Sequence, residues 1–63
     1  MDVMDELLIK TGHDISFLLE DLRELNKQST PIEHLLVIEL IKQTVHLSAC
    51  FSQFSSAKGV EHD

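Results

Sequence analysis

Gln28-Ser29-Thr30-Pro31-Ile32-Glu33 is the stretch on which the fold turns. Thr30 can cap a helix, and Pro31 sits at a first helical position, where no N–H donor is needed. Glu33 stands three residues after the cap, within reach of the cap's own N–H. A helix therefore starts at Pro31. Nothing downstream breaks it before Ala57-Lys58-Gly59, where lysine suits the negative end of the helix dipole and glycine suits a left-handed terminating residue. This predicts a helix over about 31–58, followed by a short polar tail, 59–63.

Upstream, Asp2, Asp5 and Glu6 form an acid-rich first turn, and the chain then stays compatible with helix to Lys27. Gly12 is the weak point, since glycine costs about 1 kcal/mol relative to alanine inside a helix, and Thr11 or Asp14 could cap a restart beyond a kink. Yet Met4, Leu8, Thr11, Ile15, Leu18, Leu22 and Leu25 keep an unbroken four-three spacing across it, which predicts one helix over about 2–27. Only Gln28, Ser29 and Thr30 separate the two helices, so the second must fold back on the first. The expected fold is all-α: a single domain, 1–63, built as an antiparallel two-helix hairpin.

A chain of 63 residues buries too little apolar surface to stand comfortably alone. Its one cysteine, Cys50, allows no internal disulfide, so added stability must come from a partner or a metal. The formal charge of −6, from 5 basic against 11 acidic residues, disfavours nucleic acid, whose binding depends on Lys and Arg displacing counterions from phosphates. Residues 1–9 carry acids where a signal peptide carries positive charge, and no apolar run is expected to approach the roughly eighteen residues of a membrane span. The expectation is a cytoplasmic protein with no membrane contact, and a lone thiol agrees with a reducing compartment.

The first helix reads as one-sided, with Met4, Leu7, Leu8, Ile15, Leu18, Leu19, Leu22 and Leu25 in one stripe and Glu6, His13, Glu20, Asp21 and Glu24 opposite. The second is apolar almost all round. Leu36, Leu40, Leu47, Cys50, Phe51 and Phe54 make one face, expected to pack on the first helix. Val37, Ile38, Ile41, Val45 and Ala49 make another, expected to be a dimer interface that closes two hairpins into a four-helix bundle.

Chemistry-bearing residues are sparse. Glu39, Gln43, His46 and Cys50 line one edge of the second helix, and His46 with Cys50 could both reach a zinc ion, but two ligands do not make a site and cysteine is commonly a core residue. His13-Asp14 and Glu61-His62-Asp63 lack paired ligand spacing. With no glycine-rich phosphate loop, no nucleophile beside a base and no room for a deep pocket, neither an enzyme nor a cofactor or metal protein is expected. Phe17 is the informative residue: it sits on the acidic face of the first helix, with His13, Asp14, Glu20 and Asp21 three and four residues away and Glu24 one turn further. An aromatic ringed by polar groups has the composition of a binding anchor.

The heptads of Leu18-Leu19-Glu20-Asp21-Leu22-Arg23-Glu24-Leu25 and of Leu47 to Phe54, on a dimer of two-helix hairpins, resemble those of the Rop-like plasmid regulators. That resemblance implies a dimeric bundle whose first helices form an RNA-binding face of polar and basic side chains around an aromatic. The matching surface here carries Glu6, Asp14, Glu20, Asp21 and Glu24. The expected function is accordingly a small regulatory or adaptor dimer that docks onto a protein, for example a basic DNA-binding regulator that it inhibits. A structural or chaperone-like subunit of a hetero-complex and a Rop-like RNA-binding dimer are the alternatives.

Overall fold

The computed structural model describes residues 2–59, and the acidic cluster at 61–63 lies outside them. Two helices make up the fold, α1 (Val3–Lys27) and α2 (Pro31–Ala57), packed against each other as a hairpin 45 × 17 × 15 Å in extent. Asp2 caps α1, its carboxylate accepting the N–H of Asp5 at 2.9 Å. At the other end the N–H groups of Gln28 and Ser29 tighten back onto the carbonyls of Leu25 and Asn26, and the Ser29 hydroxyl donates to Leu25 at 2.8 Å. Thr30 and Glu33 then form the expected reciprocal capping box: the Glu33 N–H donates to Thr30 Oγ1 and the Thr30 N–H donates to Glu33 Oε1. Gly59, at φ 79°, adopts the left-handed conformation that ends α2.

α1 runs through Gly12 without a break. A Cβ there would stand 3.4 Å from Cε2 of Phe51 on α2, in contact with the ring.

The seam between the helices follows three-four spacing on both. From α1 it takes Leu8, Ile15 and Leu22, all buried, with Gly12, Leu19 and Asn26 half-buried between and beyond them. From α2 it takes Val37, Thr44 and Ser55, all buried, with Ile41, Ser48 and Phe51 half-buried. Large side chains on α1 thus meet a row on α2 that is half hydroxyl. Thr44 satisfies its hydroxyl by donating to the Leu40 carbonyl at 2.8 Å, the usual recourse of a buried threonine in a helix.

This corrects the expectation for α2. The leucine-rich face was expected to turn inward; instead the neighbouring row, one residue later and 100° round the helix, faces α1. Small hydroxyl side chains there give the leucines and isoleucine of α1 room to interdigitate, which shape complementarity rewards over raw hydrophobicity.

Candidate interaction surfaces

Residues one position before the seam lie 100° back round each helix, and because the helices run antiparallel, both of these rows emerge on the same side of the hairpin. On α1 the row contains Met4, Leu7, Thr11, Asp14, Leu18, Asp21 and Leu25; on α2 it is Leu36, Leu40, Gln43, Leu47, Cys50 and Phe54. The α2 leucines and phenylalanine are uncovered, at 66% for Leu36, 51% for Leu40 and Leu47, and 48% for Phe54. Met4, Leu7, Leu18 and Leu25 flank them, also exposed. Lys58 reaches back over the Phe54 ring, its Nζ 5.8 Å from the ring centre. Between Leu36, Glu39, Leu40 and Gln43 lies a shallow, open depression with almost wholly apolar walls.

The opposite side carries the positions one after the seam: His13, Ser16, Glu20 and Arg23 on α1, Lys42, Ser52 and Ser56 on α2, and among them Ile38, Val45 and Ala49. The five residues expected to form a dimer interface are therefore divided. Val37 is buried inside the hairpin and Ile41 half-buried in the same seam, whereas Ile38, Val45 and Ala49 stand on the more polar side next to Lys42.

The acidic group around Phe17 is brought together. Phe17 projects from the outer surface of α1, away from α2, and is 62% exposed, as are in varying degree His13, Asp14, Glu20, Asp21 and Glu24. Asp14 pairs with Lys10 at 2.7 Å and Glu24 with Lys27 at 3.4 Å, both as exposed pairs within one helix that stabilise little. Glu20 and Asp21 have no ion-pair partner among the described residues, so acidic charge not held in an ion pair stands beside Phe17.

His46 and Cys50 approach each other, Nε2 to Sγ at 3.7 Å, on the exposed surface of α2. Among the described residues no third side chain of ligand type joins them. Sequence reading missed one property of α2: by length and composition it is apolar enough to cross a membrane, contrary to the expectation that no run approached that length. The signal was there in Leu35 to Ser52, where only Glu39 and Lys42 interrupt a run rich in leucine, isoleucine and valine. The chain matches no known family model, and neither characterised proteins nor solved structures give a match.

Proposed function

We propose that this chain is a non-enzymatic regulatory or adaptor protein that works through its helix faces: it dimerises into a four-helix bundle through the apolar side and docks a second, basic protein on the acidic outside of α1. The observation that carries the reading is the uncovered row Leu36, Leu40, Leu47 and Phe54, a contiguous apolar surface of the kind that marks protein contact sites. Burying it leaves Phe17 and Glu24 on the outer surface of α1 free, with His13 and Glu20 beside them, while Asp14 and Asp21 lie at the edge shared with the apolar side. A basic DNA-binding regulator suits the docking face by charge, and such a contact would block or sequester it. A cytoplasmic setting fits this reading, since it would keep the exposed thiol of Cys50 reduced.

Pull-down from the native host with the tagged chain tests the docking half. The expected result is a protein retained by the wild type, lost on Phe17→Ala and on Glu24→Lys, and kept on Ser52→Ala from the opposite side. A partner indifferent to both α1 substitutions, or salt-sensitive retention of RNA instead, would contradict the reading.

A further inference from the structure

We infer that the apolar side is covered by a second copy of this chain, with α2 lying antiparallel on α2 and the two-fold axis passing at Gln43. This rests on the assembly reading above and assigns its face and register. Leu36, Leu40, Gln43, Leu47, Cys50 and Phe54 recur at four, three, four, three and four residues, the spacing of a coiled-coil seam. The depression beside them is lined by Leu36, Glu39, Leu40 and Gln43, which are positions i, i+3, i+4 and i+7. Four residues so placed form the hole that receives a knob from a facing helix. The row contains the matching knob. With the axis at Gln43, Leu36 falls opposite Cys50 of the second copy and Leu40 within one residue of Leu47, and Leu47 is the leucine nearest the centre of the hole.

Gln43 fixes the register. It is the one amide in the row and lies near the middle of α2. Its Nε2 donates to Glu39 Oε1 at 3.2 Å, which leaves its oxygen and a second N–H to meet the same groups of its own copy on the axis. A shift of one heptad would set that amide against Leu36 in one direction or Cys50 in the other and leave it without its amide partner. An unrelated protein would have to reproduce this spacing, whereas two copies supply it to each other through a self-complementary patch. The exposed area agrees: the chain presents 5035 Å². A compact folded chain of its mass, 7.2 kDa, would present about 4,100 Å². The surplus is comparable to the roughly 800 Å² that one partner loses in a standard interface.

Disulfide trapping of the full-length chain tests this. Leu36→Cys, with Cys50 retained, should link rapidly between copies on mild oxidation, and the link should vanish when Cys50→Ser is added. Gln43→Cys in the Cys50→Ser background should link to itself. The unmodified chain should not, because in this register the two Cys50 residues lie about 21 Å apart along the bundle, three times the span of a disulfide. A dimeric mass with neither engineered link, or with Cys50 linked to Cys50, overturns the face and register while leaving assembly intact. A monomeric mass, or binding of the monomer to phosphatidylcholine vesicles through α2, overturns both.

Discussion

Gly12 of α1 faces the Phe51 side chain on α2, with 3.4 Å separating the ring's Cε2 from the place where a Cβ would be. That distance is van der Waals contact, so one methyl fits and a longer side chain does not. Gly12→Ala should remove the roughly 1 kcal/mol helix penalty of glycine. In a domain of this size that raises the thermal midpoint by about 4–8 °C. Gly12→Leu should lower it by displacing the ring. Thermal melts followed by circular dichroism decide: a fall for alanine would contradict the room for a methyl, and an unchanged midpoint for leucine would contradict the close approach of Phe51.

Ser55 is fully buried and its Oγ has no hydrogen-bond partner among the described residues. An unmet buried hydroxyl costs about 1–3 kcal/mol. Ser55→Ala should therefore stabilise the fold, by about 1 kcal/mol after the small loss of packing. Thr44→Val offers the contrast, because the Thr44 hydroxyl already bonds the Leu40 carbonyl and gains nothing by removal. Urea titrations should show the serine change alone moving the midpoint upward.

At the start of α2, the N–H of Thr30, then its hydroxyl, holds the Glu33 carboxyl below the usual glutamate value. A lowered folded-state value means that the bond contributes above the unfolded pKa and is lost as pH falls through the folded one. The start of α2 should fray in the acid range below ordinary glutamate titration. Carbon-detected NMR of Glu33 should place its midpoint below that of a model peptide, and Thr30→Ala should move it only part of the way back, since the backbone donor remains. Separately, loss of the Thr30 cap should cost about 1 kcal/mol of stability.

Phe17 touches none of the hairpin seam and is mostly in solvent. Phe17→Ala should leave thermal stability within about 0.5 kcal/mol of wild type, as surface changes do. A large loss would show that Phe17 serves the fold, and would remove it as a docking anchor.

The hairpin was readable because its signals are local. Thr30, Pro31 and Glu33 act within one turn, Gly59 ends a helix by its own backbone freedom, and the spacing across Gly12 needs only α1. The inward face of α2 was not readable in this way. Leu36-Leu40-Leu47-Phe54 and Val37-Ile41-Thr44-Ser48-Phe51-Ser55 are neighbouring rows 100° apart, and hydrophobicity alone favours burying the first. What decides is the fit between hydroxyl-sized side chains on α2 and Leu8, Ile15, Leu19 and Leu22 on α1, and that fit involves residues far apart in the chain. The same one-residue rotation divides Val37 and Ile41 from Ile38, Val45 and Ala49. The group around Phe17 was legible, because residues three and four apart on one helix are neighbours whatever the tertiary packing.

Two copies join through the leucine row of α2 rather than through the side that carries Ile38, Val45 and Ala49. Sedimentation equilibrium of the wild type, Leu40→Glu and Val45→Glu tests it most directly, since both residues are about equally exposed in the hairpin, at 51% and 48%. The account predicts twice the 7.2 kDa chain mass for the wild type and for Val45→Glu, and a helical monomer for Leu40→Glu. A dimer that survives Leu40→Glu and dissociates on Val45→Glu would contradict it.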